Sequence, residues 1–168
     1  VSLHNSAAAR TRSTGTSDWA RLGYALYGGQ IKGLPIDETL RPAMRFTTSV
    51  LALRDVRRGE SVGYGGRWIA QRDSRIATLP VGYADGYPWA ARDGAPIGIA
   101  DHIAPLAGRV SMDMVTVDVT DCAHIEVGAP AVLWGSRPGV DEVAQHCNTI
   151  GYELMTRVTS RVPRCYHP

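Results

Sequence analysis

The sequence predicts a mainly β domain that is preceded by some forty residues of different character. From Met44 onward, β-branched stretches alternate with turn residues, as in a domain of several short antiparallel strands. The four stretches are MRFTTSVLALRDV, SRIATLPVGY, APLAGRVSMDMVTVDVT and APAVLWG. Helical texture is confined to the C-terminal segments DEVAQHCNT and YELMTRVTS. Together these patterns indicate a β-barrel or β-sandwich with a little helix.

The segments before Met44 read differently. TRSTGTS is a predicted loop, and DWARLGYALYGG contains a short apolar stretch that predicts a turn leading into a buried strand or the start of a helix. GLPIDETLRP then has the composition of a linker. The β-domain is therefore preceded by a segment of some forty residues with a different character.

Within the β-domain, the clearest strand signal is MVTVDVT. Its valines occupy every second position from Val115 to Val119, and polar residues occupy the positions between them. A period of two places all three valines on one face of a strand, because successive side chains point to opposite sides. We expect Val115, Val117 and Val119 to face the core.

Composition excludes several classes of function. The net charge of +2 is small, and no run of lysine or arginine with interleaved aromatic residues is present, so the sequence gives no sign of nucleic-acid binding. No apolar run approaches the roughly 20 residues of a membrane-spanning helix. Three cysteines without a CxxC motif predict reduced thiols in a cytoplasmic protein, namely Cys122, Cys147 and Cys165.

Common catalytic motifs are also absent. The sequence contains no GxSxG nucleophile elbow, no GxxxxGK[ST] phosphate loop and no GxGxxG fingerprint. The histidines are too widely spaced for a metal site, and His146-Cys147 is best read as the polar and buried faces of one helix. What remains are three glycine- or arginine-framed stretches, ARLGY, VGYGG and VGYADGY, each of which alone is more often a turn than a site.

Taken together and in order, these stretches resemble alanine racemase, the fold-type III family that depends on pyridoxal phosphate (PLP). The matching segments are NSAA, ARLGYALYGG, VGYGGRW, LPVGYADGYP, AGRVSMDMVTVDVT and TIGYELMTRVTSRVPRCY. The resemblance covers nearly the whole chain but only the C-terminal half of the family. It implies that residues 1–38 are the last segment of a (β/α)8 PLP-binding barrel and that residues 39–168 are the family's C-terminal β-domain.

The resemblance implies a catalytic role for Tyr64. Racemisation removes the α-proton from one face of the substrate and returns a proton to the other, which suits two bases on opposite faces. In the family, one base is the PLP lysine of the barrel and the other is a tyrosine from the partner subunit, which Tyr64 matches. Lys32, the only lysine here, lies far from the family's lysine position, so we do not assign it to PLP.

Further residues match the family's binding positions. The cofactor-binding matches are Ser6, Gly23 and Tyr24 for the phosphate, Arg21 for the pyridine nitrogen, and Tyr152 for the phosphate and the inner entrance. The substrate-binding matches are Met112, whose backbone amide meets the carboxylate, and Tyr83, Arg109 and Asp113 in the substrate corridor. One departure is Trp89, which stands where many members have a basic residue.

These matches imply a homodimeric racemase that interconverts L- and D-alanine with PLP, completed by an N-terminal barrel half. Two alternatives stay open. One is a broad-specificity or serine racemase of the same fold, and Trp89 is the feature that raises it. The other is an isolated β-domain without catalysis, favoured by the missing lysine and opposed by the presence of Tyr64, Arg21 and Ser6.

Overall fold

The computed structural model describes residues 2–11, 18–31 and 33–166. Lys32 and most of the predicted loop TRSTGTS lie outside the described residues. The chain divides between Met44 and Arg45 into two compact units, the N-terminal unit and the C-terminal unit.

The N-terminal unit is built from a β-α-β arrangement. Its elements are strand β1 (Ser2–Asn5), helix α1 (Ser6–Thr11), strand β2 (Trp19–Arg21) and a 3₁₀ turn (Tyr24–Tyr27). Strands β1 and β2 are parallel, with Asn5 opposite Arg21. Parallel neighbours require a crossover, and here α1 lies in it. The side chain of Asn5 accepts a hydrogen bond from the Ala8 amide at 2.9 Å and caps α1.

Two features of this unit differ from the sequence prediction. Helix α1 was not predicted, although its run of three alanines favours a helix. The stretch DWARLGYALYGG was predicted to lead into a buried strand or the start of a helix. It forms strand β2 and the 3₁₀ turn, but all three residues of β2 are exposed, and Trp19 is among the most exposed large side chains. The sheet has two strands in the described residues, so little of the unit covers its faces.

The C-terminal unit is mainly β, which confirms the predicted fold class. Its strands are β3 (Phe46–Ser49), β4 (Ala52–Val56), β5 (Ser61–Val62), β6 (Trp68–Ile69), β7 (Ser74–Leu79), β8 (Pro96–Ile99), β9 (His102–Pro105), β10 (Val115–Asp118) and β11 (Pro130–Trp134). Two helices follow, α2 (Val140–His146) and α3 (Gly151–Arg157), where helical texture was predicted.

The strands of this unit pair antiparallel in three sheets over the described residues. Their orders are β10-β7-β4, β3-β11-β8-β9 and the hairpin β5-β6. The alternation in β10 is confirmed, because Val115 and Val117 are buried whereas Thr116 and Asp118 are only half-buried. The largest fully buried side chains include Trp134, which stacks with Tyr87 at a centroid distance of 6.4 Å.

Three strands of the C-terminal unit were not predicted. Strand β8 is inside the four-stranded sheet and all four of its residues are buried, but its sequence PIGI carries a proline and a glycine. Proline is tolerated at the first position of a strand, which is where Pro96 lies. Strands β5 and β6 have two residues each, too few for a periodic signal.

Candidate functional site

Ser6, Arg21, Gly23 and Tyr24 come together at one edge of the N-terminal unit. Because β1 and β2 are parallel, their carboxyl ends lie at the same edge. Ser6 follows β1 directly, Arg21 ends β2, and Gly23 and Tyr24 begin the 3₁₀ turn that comes next. Ligands of α/β folds bind at this edge of the strands.

The donors at this edge suit an anion. The Ser6 side chain is buried, and its Oγ accepts a hydrogen bond from the Ala25 amide at 3.3 Å, which places the hydroxyl beside the first turn of the 3₁₀ segment. A Cβ built on Gly23 would meet nothing within 4 Å, so there is open space at that position. Hydroxyl and amide donors at a glycine turn are the groups that bind phosphate.

Tyr64 lies in the connection of the β5-β6 hairpin, in the C-terminal unit. Three glycines around it, Gly63, Gly65 and Gly66, have positive φ angles of 78°, 70° and 57°. The side chain of Tyr64 is 72% exposed. The turn therefore holds the phenol out from the β-domain instead of packing it into the core.

The base of this hairpin packs against the segment that carries Arg109. Val62 belongs to an apolar cluster with Val56, Ala70, Ile76 and Ala107, and Trp68 packs against this cluster. A Cβ on Gly108 would lie 2.8 Å from the Val62 carbonyl oxygen, so only glycine lets the two backbones approach this closely.

Polar contacts join the same segments. The Arg67 guanidinium donates Nε to Asp93 Oδ2 at 3.1 Å and Nη2 to Asp93 Oδ1 at 2.9 Å. Nη2 also donates to the carbonyls of Ala91 and Gly108, at 3.2 and 3.0 Å. Sequence analysis missed Arg67 and Asp93, because their partners lie 15–41 residues away and leave no local pattern.

Trp89 and Arg109 form a pair next to these contacts. The Arg109 guanidinium carbon lies 5.3 Å from the centroid of the Trp89 ring, within the range of a cation–π interaction. Trp89 is half-exposed, and the stack therefore contributes on the order of 1 kcal/mol at most. Trp89, which was noted as a departure from the family resemblance, thus contacts Arg109, which was expected in the substrate corridor.

Tyr83, Met112 and Asp113 lie on two segments that are hydrogen-bonded to each other. The Tyr83 amide donates to the Ser111 carbonyl at 3.1 Å, and the Ala84 amide donates to the Met112 carbonyl at 3.0 Å. The Met112 side chain is 52% exposed, so it does not pack in the core.

Arg161 fixes this pair of segments from the C-terminal side. Its Nη2 donates to Asp113 Oδ1 at 2.8 Å, and its Nε lies 3.6 Å from Asp85 Oδ1. The hydrogen bond to Asp113 raises the pKa of Arg161 above its ordinary value, so the guanidinium stays charged. Arg161 is a further residue that the sequence analysis did not single out.

Tyr152 lies in the first turn of α3 and is 44% exposed, so it is not a core tyrosine. The opposite charges Glu153 and Arg157 pair at 2.8 Å along the same helix. Hydrogen bonds from Thr149 and Arg157 hold the pKa of the Glu153 carboxyl below its usual value.

Two features are absent from the described residues. No helix there is long and apolar enough to cross a bilayer. The described part of the chain also holds no group of three or more histidine, cysteine, aspartate or glutamate residues that could bind a metal ion.

Comparison with known proteins identifies the family. The protein-family model for the alanine racemase C-terminal domain matches residues 43–166 of this chain. The alanine racemase of Stutzerimonas stutzeri is 51% identical over 98% of this chain and 47% of that protein. The biosynthetic alanine racemase of Pseudomonas aeruginosa is 50% identical with the same coverage.

Solved structures agree. The crystal structure of the Pseudomonas aeruginosa biosynthetic alanine racemase matches with a TM-score of 0.95, covering 99% of this chain and 47% of that one. The alanine racemase from Bartonella henselae with covalently bound pyridoxal phosphate matches with a TM-score of 0.87 at 30% identity, covering 99% of this chain and 46% of that one. The chain thus spans about half the length of the relatives it matches. It belongs to the alanine racemase family, and its residues 43–166 form the family's C-terminal domain.

Proposed function

We propose that this chain forms part of a PLP-dependent alanine racemase, in which Tyr64 is one of two catalytic bases. The observation that carries the proposal is the presentation of Tyr64. Its phenol stands out on a glycine turn whose base packs against the segment leading to Arg109, Met112 and Asp113.

The edge formed by Ser6, Arg21, Gly23 and Tyr24 fits the cofactor. The Ser6 hydroxyl and the amides of Gly23 and Tyr24 would hold the phosphate, and Tyr152 would add a hydrogen bond to it. PLP, when bound, supplies the electron sink that makes the α-proton of an amino acid acidic. The Bartonella henselae relative is described with this cofactor covalently bound.

Arg21 would face the pyridine nitrogen. A guanidinium donates hydrogen bonds but does not give up its proton, so it leaves that nitrogen unprotonated. Arg21 would therefore bind that nitrogen without transferring a proton to it, which would disfavour transamination as a side reaction.

Tyr64 would remove or return the proton on one face of the substrate. A free phenol titrates near 10, so a working base needs cationic neighbours or hydrogen bonds that favour phenolate. In our proposal the phenol acts across a homodimer interface, opposite a lysine supplied by the barrel half of the complete protein. Met112 would donate its backbone amide to the substrate carboxylate, and Tyr83, Arg109 and Asp113 would line the approach.

The proposal is tested with the complete protein. Borohydride reduction fixes PLP to its lysine, and the labelled lysine is then located by peptide mass analysis. We expect a single labelled lysine in the barrel half, together with racemisation of alanine. An unlabelled protein without racemisation would instead support a β-domain that lacks catalysis.

A broad-specificity racemase is the second candidate, because Trp89 and its stack with Arg109 replace the basic residue of many members. Turnover of alanine, serine and lysine by the same preparation distinguishes the two. Alanine as the best of the three substrates supports our assignment, and alanine as the poorest contradicts it.

A further inference from the structure

The hairpin that carries Tyr64 is too small to hold its own conformation. Strands β5 and β6 have two residues each, and isolated two-stranded hairpins are at best marginally stable in water. The turn between them contains three glycines, which lose more conformational freedom on ordering than other residues. The direction of the Tyr64 phenol must therefore be fixed from outside the turn.

The apolar side chains of the hairpin hold its base. Val62 and Trp68 are paired across β5 and β6, and they join the cluster with Val56 and Ala107. Apolar packing is non-directional, so it leaves rotation and sliding of the turn weakly constrained.

Arg67 supplies the directional contacts. It follows the turn immediately and forms a two-point hydrogen bond with Asp93. Its Nη2 has two hydrogens and faces three acceptors, on Asp93, Ala91 and Gly108. One of the two hydrogens is therefore shared between two acceptors. Asp93 Oδ1 in turn accepts the Gly108 amide at 2.8 Å. One ion pair thus ties three chain segments together.

The three segments carry the residues assigned to the site. The first presents Tyr64, the second contains Trp89, and the third contains Arg109, whose guanidinium stacks on Trp89. An exposed ion pair alone contributes little, but paired geometry with shared backbone acceptors makes this one a network.

We propose that Arg67 and Asp93 are positioning residues that orient the Tyr64 hairpin toward the Trp89 and Arg109 segments. This inference rests on the proposed function, since it concerns Tyr64 as a base. Arg67 does not touch substrate in this account and acts through the hairpin. Lysine at position 67 would keep the charge but lose the planar fork that meets both carboxylate oxygens.

The test uses the complete protein with four variants: Arg67→Ala, Arg67→Lys, Asp93→Asn and the control Arg72→Ala. Arg72 forms an exposed ion pair with Asp121 in the same unit, so its loss matches the removal of a surface arginine–aspartate pair. Two readouts are compared, amide hydrogen exchange of residues 61–69 and 107–109, and single-turnover loss of the α-deuteron from L- and D-alanine.

We expect Arg67→Ala and Asp93→Asn to raise exchange in both segments, while Arg72→Ala does not. We also expect Arg67→Ala to slow deuteron loss from L-alanine by roughly tenfold or more relative to D-alanine, because only one face depends on Tyr64. Arg67→Lys should recover part of both effects.

Unchanged exchange in Arg67→Ala would overturn the inference. Raised exchange with equal slowing for both enantiomers would also overturn it, because a merely structural role affects both faces alike. Failure of the unsubstituted protein to racemise alanine would contradict the proposed function itself, and would leave the exchange data to decide whether Arg67 orders the hairpin.

Discussion

Tyr64 would carry the proton transfer on one face of the substrate in the proposed racemisation. Its hydroxyl is exposed on a turn, so replacing it by phenylalanine removes the hydroxyl without leaving a cavity in the core. The aromatic ring and the glycine turn remain. This makes Tyr64→Phe a clean substitution for separating the base from the fold.

In the complete protein, we expect Tyr64→Phe to slow α-deuteron loss from L-alanine far more than from D-alanine. General acid–base groups contribute roughly 10²- to 10⁴-fold, and the phenol serves only one face. Single-turnover exchange with each enantiomer measures the difference. Equal slowing of the two would rule out the two-base assignment.

Cys147 provides a test of the packing at residue scale. Its side chain is buried, and burial raises the pKa of the thiol to about 11. The reactive thiolate is therefore scarce at pH 8 and increases only as the pH rises toward 11. We expect Cys147 to resist alkylation in the native protein at pH 8, whereas the exposed Cys165 reacts.

Denaturant is the matched condition for that measurement, because it removes burial and should make the thiols react alike. Peptide mass analysis gives the labelled fraction of each cysteine. Rapid native labelling of Cys147 at pH 8 would show that the surroundings of this thiol are more open than the structure indicates.

A site residue could be proposed from the sequence only where it belongs to a motif with recognisable order and spacing. Tyr64, Met112 and Tyr152 were assigned to the site because they match the family series in order and spacing, and all three side chains are exposed. Arg67, Asp93 and Arg161 were not, because their contacts join segments distant in sequence. The roles of both sets of residues in catalysis are proposals.

At the scale of elements, the close approach of the hairpin and the 107–109 segment depends on Gly108. Its φ is +95°, and a Cβ there would lie 2.8 Å from the Val62 carbonyl. Gly94 has a similar φ of +88°, but a Cβ there would meet nothing within 4 Å. A side chain at Gly94 would therefore add backbone strain alone, whereas a side chain at Gly108 would add both strain and a steric clash.

We expect Gly94→Ala to cost about 1 kcal/mol of unfolding free energy, the usual penalty of a left-handed alanine. Gly108→Ala should cost at least about 1 kcal/mol more, because the backbones must move apart. Denaturant unfolding of both variants measures the difference. Equal costs would mean that the approach of Val62 and Gly108 is looser than described.

Strand β10 and strand β8 show why some elements were predictable and others were not. The valines of β10 alternate cleanly because one face packs inside and the other is only half-covered. Strand β8 is buried on both faces, so alternation is lost, and its proline and glycine resemble turn residues. Helix α1 and the hairpin strands are too short for a period to emerge.

At the scale of the whole molecule, the chain spans about half of its relatives and comprises two compact units. The phosphate-binding edge proposed for the N-terminal unit and Tyr64 in the C-terminal unit are joined functionally only in our homodimer proposal. If the site is shared between subunits, combining two subunits with different defects should restore activity.

The most direct test is a purified heterodimer of two inactive variants of the complete protein. One subunit carries Tyr64→Phe, and the other lacks the lysine that borohydride reduction labels. If Tyr64 acts across the interface, one of the two sites is intact and the heterodimer has about half of the unsubstituted activity. If Tyr64 acts within its own subunit, both sites are defective, and activity no higher than that of the parent homodimers would contradict the account.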